Sequence, residues 1–479
     1  MGKASRDARH RKACVIGAGP NGLAAAIVLA QAGMRVDVFE AEAQPGGAAR
    51  TMELTLPGFH HDFGSAVHPM AAGSPFFRSL PLADYGLEWI HSPAPLAHPF
   101  DDGTAITLER NLGDAEAALG EDGRAWRNLM APLARNWDGF AEDILRPLLH
   151  VPSHPFLLAK FAQDALAPAT FVAHRRFRNG RTRALFAGLA AHSFLNLDQP
   201  LSASFGLVLG AAAHAVGWPI PRGGAQAIAD ALSAHLARLG GNIVAATRIA
   251  SFDRLSNYDI AMGDITPRQL LRLSQGKLSP KYRRRLEEFR YGPGIFKVDY
   301  ALSAPIPWKA AECLRAATVH LGGSMAEIAA SEAAMAGGKT AERPFVLLAQ
   351  PTLFDPSRAP AGKHIAWAYC HVPNGSTFNM LERVEAQIER FAPGFRDCIL
   401  ARRTWSPAEL EAMDANLVGG DIGGGAVDFR QFIFRPTWRH YATSDKNIYL
   451  CSSSTPPGGG VHGMCGHNAA KLALHRLRQ

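Results

Sequence analysis

Three glycines, Gly17, Gly19 and Gly22, stand in the string CVIGAGPNG at the spacing of a phosphate-binding turn. The chemistry on offer is that of bare backbone. One glycine makes the turn, one lets a pyrophosphate approach the chain, and one lets helix and strand pack closely. Pro20 and Asn21 sit inside the turn and open a helix whose N-terminal amides and dipole favour phosphate. Glu40 follows Gly22 by 18 residues, closing the next apolar run, where a carboxylate can accept hydrogen bonds from ribose hydroxyls. Glycine spacing alone also occurs in structural turns. The run before it, the helix after it and Glu40 together make this a dinucleotide site.

Other reactive residue types point nowhere so specific. Cys14, Cys313, Cys370, Cys398, Cys451 and Cys465 include no CxxC pair, which argues against a redox disulfide and for a reduced, cytoplasmic protein. The histidines form no HExxH or paired-ligand spacing, so no metal site is expected. GxSxG is absent. The loop GGDIGGG at 419–425 is read as a flexible segment near a substrate cavity.

The elements that position the glycines follow from pattern. Residues 13–16 read as a strand, 23–32 as a helix ended by Gly33, and 35–39 as a second strand, a compact βαβ unit. Helical stretches at 115–143 and 155–195 suggest an inserted helical lobe over about 96–219. PIPRGG punctuates the chain at 219–224, before an amphipathic helix over 225–239 and strands over 243–252 and 259–265. FKVDYAL, PFVLLAQ and HIAWAYCHV predict an antiparallel or mixed sheet, with a helix over 311–335. A last strand at 447–452 leads through the glycine loop 456–460 into a terminal helix.

Composition sets the outer limits. The chain has 479 residues, too many for one simple core, and its 47% hydrophobic and 19% charged residues exclude wholesale disorder. The formal charge of +8 is spread over small clusters at 6–12, 174–183 and 281–285 without interleaved aromatics, so nucleic acid is not an expected partner. Peripheral contact with a membrane stays open. The basic start and the apolar run behind it mimic a secretory leader, but the glycine spacing accounts for that run better. Arg6 breaks the myristoylation pattern that Met1-Gly2 begins. The uncharged stretch 199–221 could span a bilayer by length; its Ala, Ser and Gly content and His214 favour a buried helix and loop.

The segment AEAQPGGAART, with Ala41, Gly46, Gly47, Ala48 and Thr51, resembles the RxGGRxxS/T signature of the flavin amine oxidase and phytoene desaturase superfamily. This resemblance implies FAD in place of NAD. Gln44 and Ala48 stand where the signature has arginines, so two charge-assisted phosphate contacts are absent, with Arg50 nearby. PGFHHDFGSAVHP, carrying Asp62, Ser65, Val67 and His68, resembles the segment that passes the flavin ring. The stretch from PRGG to Phe252 resembles the middle segment, whose strand near Arg248 and Ile249 meets the adenine. DITP, with Thr266, is similar to the strand end that closes over the dinucleotide domain.

At the far end, NIYLCSSSTPPGGGVHGMCGHNAAKLAL resembles the C-terminal flavin motif of phytoene-desaturase-like oxidoreductases. The resemblance implies cofactor contacts from Ser453, Gly459, Gly460, Val461 and His462. It also implies a helix beginning near Val461 that points its amides at the flavin N1–C2=O edge. Amine oxidases usually carry a carboxylate where Ser453 stands. The likeness spans nearly the whole chain, most specifically 13–70, 218–270 and 445–478. It is closest to the phytoene-dehydrogenase-like branch that includes pyridine nucleotide-disulfide oxidoreductase domain proteins. No second GxGxxG follows a strand mid-chain, so a separate NAD(P)H domain is not expected.

These readings imply an α/β fold: a doubly wound, Rossmann-like FAD-binding domain assembled from 1–95, 219–290 and 436–479. A helical lobe at 96–218 and a substrate domain at 291–435 are inserted between these segments. The expected cofactor is non-covalent FAD. The expected activity is transfer of hydride from a hydrophobic, isoprenoid-like substrate to flavin N5, with oxygen, a quinone or another acceptor reoxidising the flavin. Catalytic residues are not assigned beyond the flavin-proximal candidates His68 and His462. Amine oxidation, with Trp438 and Tyr441 as candidate aromatic walls, and an FAD-binding scaffold without turnover are the alternatives.

Overall fold

The computed structural model describes residues 11–479; the Met1-Gly2 pattern and basic residues 6–10 lie outside them. Strand β1 (Lys12–Ile16) runs into the glycine turn, helix α1 (Pro20–Gln31) and β2 (Arg35–Phe39). A short hairpin, β3 (Thr51–Glu53) and β4 (His60–Asp62), comes next, then β5 (Ala94–Pro99) and β6 (Ala105–Leu108). The helical lobe includes α2 (Pro155–Ala165), α3 (Ala169–Arg176), α4 (Gly180–Ala191) and α5 (Ser202–Ala215). The chain returns through α6 (Gln226–Arg238), β7 (Asn242–Val244), β8 (Ile260–Gly263), α7 (Pro267–Leu273) and α8 (Pro280–Glu287). A second excursion builds β9 (Gly294–Leu302), β10 (Ala316–Leu321), α9 (Met325–Ala336), β11 (Val346–Ala349), β12 (His364–Val372) and β13 (Ile399–Trp405). Strand β14 (Ile448–Leu450) and helix α10 (Met464–Leu477) close the chain.

Five strands form a wholly parallel sheet in the order β14-β8-β1-β2-β7. Its two faces are both apolar, as a parallel sheet requires. Ala13, Val15, Val36, Val38 and Met262 face α1, α6 and α10, while Cys14, Ile16, Ala261 and Leu450 face α7 and α8. This is the doubly wound α/β domain that the sequence predicts. Three separated stretches of chain build it.

The second sheet has seven strands in the order β13-β9-β12-β11-β10-β5-β6, antiparallel except where β5 meets β10. Alternation divides its residues between two cores. Phe296, Val298 and Tyr300 face the helix Leu381–Phe391, whereas Ile295, Trp367 and Tyr369 share the core of the helical lobe and cofactor domain. The helical lobe thus lends β5 and β6 to the second sheet.

Three sequence expectations need correction. The strand expected over 243–252 is only β7. After Val244 the chain turns at Ala246 (φ 49°), and the amides of Ala246 and Thr247 bond the carbonyls of Glu42 and Glu40. The helix expected over 311–335 is a 3-10 turn, strand β10 and helix α9. Pairing with β5 and β11 overrides an Ala-rich composition there, and the Ser324–Glu327 capping box starts α9. The terminal helix begins at Met464, not near Val461, because Gly463 takes a left-handed conformation (φ 68°) that α-helix excludes. The uncharged stretch 199–221 does contain a buried helix, α5, packed among α2, α3 and α4.

Candidate functional site

The glycine turn lies at the carboxyl edge of the parallel sheet, where open α/β sheets bind ligands. The Gly17 amide bonds the Phe39 carbonyl, fixing the turn to β2. Pro20 takes the first position of α1, where its missing amide costs nothing. Glu40 is buried at the end of β2 and accepts from the Ala18 amide at 2.7 Å and the Glu42 amide at 2.9 Å, so it holds the turn's shape. Ala41 and Glu42 lead away from it, half-buried.

The segment holding Gly46, Gly47 and Ala48 sits on this turn. The Gly46 amide bonds the Ala18 carbonyl, and a Cβ on Gly47 (φ 55°) would lie 3.2 Å from the Gly19 Cα. The Arg50 guanidinium turns back onto the Gly47 and Met413 carbonyls and the Phe63 ring. It does not stand in for the arginines missing at 44 and 48.

Residues 451–463 arrive from β14 on the neighbouring side. The Asn21 side-chain amide donates to Ser453 Oγ at 3.5 Å, linking the two loops directly. Helix α10 crosses α1 so closely that a Cβ on Gly466 would lie 1.8 Å from the Asn21 carbonyl. Gly459 and Gly460 are exposed at the loop tip, with Val461 half-buried behind them. His462 is buried, and its Nδ1 accepts from the Met464 amide at 3.0 Å, which places the ring proton on Nε2 beside the Gly458 and Gly459 carbonyls. Burial pulls its pKa down to about 4, so the imidazole is neutral and works as the helix cap. Its carbonyl accepts from Ser74 Oγ at 2.6 Å.

His68 precedes the short helix Pro69–Ala72, its amide bonded to the Pro219 carbonyl and its ring 6.3 Å from Trp89, with Val67 half-buried beside it. Burial lowers its pKa to about 4, while the Ser65 carbonyl and Asp62 oppose the shift. Its Nε2 is buried without a partner. Two other expected contacts serve the fold. Thr266 caps α7 through Oγ1, and Ile249 packs with Phe39 and Tyr258 against the outer face of the sheet.

Asp264, Asp414, Arg435, Arg358 and Lys297, which sequence reasoning passed over, complete the surroundings together with Asp62 and the loop 419–425. Asp264 lies beneath the glycine turn, with Asp414 beside Gly47. The loop 419–425 is pinned, not flexible: Asp421 accepts from the amides of Gly292, Gly423 and Gly424, and buried Arg435 ties the Gly423 and Ser453 carbonyls together. Behind His68, Asp62 accepts from Thr51 Oγ1 and the Ala225 amide and pairs with Arg358 at 2.8 Å. Burial opposes ionisation of Asp62, but Arg358 and these donors outweigh it and hold the carboxyl below its usual range. On the sheet face turned to the cofactor domain, Lys297 bonds both Asp299 oxygens, and Trp367 and Tyr369 pair at 5.3 Å. The alternation in FKVDYAL and HIAWAYCHV carried that signal.

The chemistry of the donor set fits a dinucleotide. Gly17, Gly19 and Gly22 leave the backbone of the turn open to close approach, and Asn21 Oδ1 and Ser454 Oγ are buried at the loop junction without partners. Among the described residues no group of histidine, cysteine and carboxylate side chains could hold a metal ion.

Comparison with known proteins agrees with this geometry. Residues 15–80 match the NAD(P)-binding Rossmann-like domain family. The chain is 26% identical to the mouse pyridine nucleotide-disulfide oxidoreductase domain-containing protein 2, covering 97% of this chain and 94% of that protein. It is 24% identical to a lycopene-forming phytoene desaturase of Pseudescherichia vulneris over 97% and 99% of the two chains. A solved oxidoreductase of Methanosarcina mazei superposes with a TM-score of 0.66 at 17% identity, covering 96% and 99%, and shows the same fold.

Proposed function

Because the chain belongs to the phytoene-desaturase-like family of FAD-dependent oxidoreductases, we propose that it binds FAD non-covalently and dehydrogenates an apolar, isoprenoid-like substrate. Oxygen, a quinone or a similar acceptor then takes the electrons. The observation that carries this reading is the meeting of two glycine loops from opposite ends of the chain, joined from Asn21 to Ser453. Bound FAD would supply the hydride-accepting centre; the chain's own work is to hold it, orient the substrate and keep water out. The state of the thiols near the site supports non-covalent attachment. Cys451 and Cys465 are buried, and burial pushes the Cys465 pKa up to about 12, so neither supplies a thiolate.

The purified protein should absorb near ~450 nm, release FAD on heating, and leave its flavin in the supernatant after acid precipitation. Recovery of FMN, or of no nucleotide after reconstitution, overturns the cofactor reading. Anaerobic bleaching by apolar alkenes supports the dehydrogenase. The Trp367–Tyr369 pair favours amine oxidation as a second reading, and bleaching by primary amines alone would select it. Trp438 and Tyr441 do not serve there: Trp438 is exposed, and the buried Tyr441 hydroxyl donates to the Pro456 carbonyl. A scaffold without turnover would bleach with neither.

The reading extends to where an apolar substrate is met, a peripheral position on an anionic membrane surface from the cytoplasmic side. Leu148, Leu149, Val151, Phe156, Leu166 and Phe171 are exposed along one stretch that also carries Lys160, Arg175, Arg176 and Arg178. Among the described residues no single helix is long and apolar enough to cross a membrane, and the α2–α3 pair bends by 99°.

A further inference from the structure

Asp264 follows β8 directly, and its side chain occupies the concave side of the glycine turn. Oδ2 accepts from the Gly22 amide at 2.9 Å. The same oxygen lies 2.8 Å from where a Cβ on Gly19 would sit and 3.1 Å from one on Gly22. Its backbone is fixed, with the amide on the Ile16 carbonyl and the carbonyl accepting from Asn416 Nδ2 at 3.0 Å. The residue is 7% exposed. A carboxyl group therefore bonds an amide at the start of α1, in the cradle that a pyrophosphate must enter.

The neighbours deepen the problem. Glu40 from β2 and Asp414 from the loop after 407–413 face Asp264, and the Cys451 and Cys465 thiols approach from β14 and α10. Arg50, the nearest cation in the segment above, is engaged with carbonyls and lies 3.8 Å from Glu42. A dianion must settle where three carboxyl groups converge and both signature arginines are absent.

We propose that Asp264 is a proton-linked gate for the cofactor: its neutral carboxyl admits the pyrophosphate and donates a hydrogen bond to it, whereas its ionised form repels it. The proposal rests on the reading of this site as an FAD site. Burial, with Asp414 and Glu40 adding to it and the Gly22 amide opposing, pushes the Asp264 pKa up to about 8. Below that pH the proton is in place. Above it, binding must take up a proton, so affinity falls about tenfold per pH unit.

The test is titration of the apoprotein with FAD between about pH 6 and pH 9, read by quenching of flavin fluorescence, for the native chain and Asp264→Asn. The native Kd should be flat at low pH and rise about tenfold per unit above pH 8. Asp264→Asn, which keeps an acceptor for Gly22 and cannot ionise, should bind across the range without the rise. Calorimetry at pH 9 in buffers of different ionisation enthalpy should find close to one proton taken up by the native chain and none by the variant. A native Kd without pH dependence, or a slope retained in Asp264→Asn, overturns the gate while leaving the FAD site intact. Failure of the native chain to bind FAD at any pH overturns both readings. If Asp264→Asn does not fold, Asp264→Ser takes its place under the same criteria.

Discussion

Gly19 shows what one atom is worth at the residue scale. A Cβ there would stand 2.8 Å from Asp264 Oδ2, in the path a pyrophosphate takes, so Gly19→Val should yield protein that folds but stays colourless when reconstituted with FAD. For His462 the structure separates charge from scaffolding. Its neutral ring accepts from the first amide of α10, so His462→Ala should cost the value of a helix cap, about 1 kcal/mol of unfolding free energy, read as a lower thermal midpoint. It should move the flavin midpoint potential by less than about 20 mV, whereas loss of a direct charge-stabilising contact would shift it more. Spectroelectrochemical titration decides between them. Asp264 makes a third case in the apoprotein. Its pKa of about 8 in the fold lies above its usual 3.8, so the folded chain binds the extra proton between those values. Stability then falls as pH rises from about 4 to about 8, by roughly 6 kcal/mol at most, and Asp264→Asn should flatten that decline in denaturant melts. The glycines and Glu40 were legible in the sequence because backbone geometry demands them. Asp264, Asp414 and Arg435 were not, since only tertiary convergence gives an ordinary Asp or Arg its meaning.

Among the elements, the first βαβ unit, β14 and α10 were readable because short-range pattern sets them. Strand β10 was missed because its partners β5 and β11 decide it, and the early end of β7 because Glu40 and Glu42 draw the chain out of the sheet. The exposed face of α2 and its preceding loop gives a prediction at this scale. Burying a large apolar side chain contributes ~1.5–3 kcal/mol, so Val151→Asp with Phe156→Asp should weaken sedimentation with phosphatidylcholine–phosphatidylserine vesicles by well over tenfold. Native protein that stays in the supernatant with these vesicles at low salt would remove the membrane from the reading.

For the whole molecule, the buried pair Asp62–Arg358 joins the hairpin of the cofactor domain to the second sheet's connections, with the PRGG turn seated on Thr51 and Asp62. Arg358→Met strands the Asp62 charge and should cost about 3–5 kcal/mol in equilibrium unfolding, more than the double change with Asp62→Leu. The strand order β14-β8-β1-β2-β7 has a consequence in time. β1 is made first, but the strand that completes its sheet lies 432 residues further on, from Ile16 to Ile448. At ordinary translation rates that interval is roughly 20–90 s. Throughout it the nascent chain carries apolar β1 and α1 without α10 to cover them. The cofactor domain can therefore be completed only once α10 has been made and has left the ribosome. An early stop codon before α10 would deliver a polypeptide that chaperones hold and proteases clear, however intact its glycine turn.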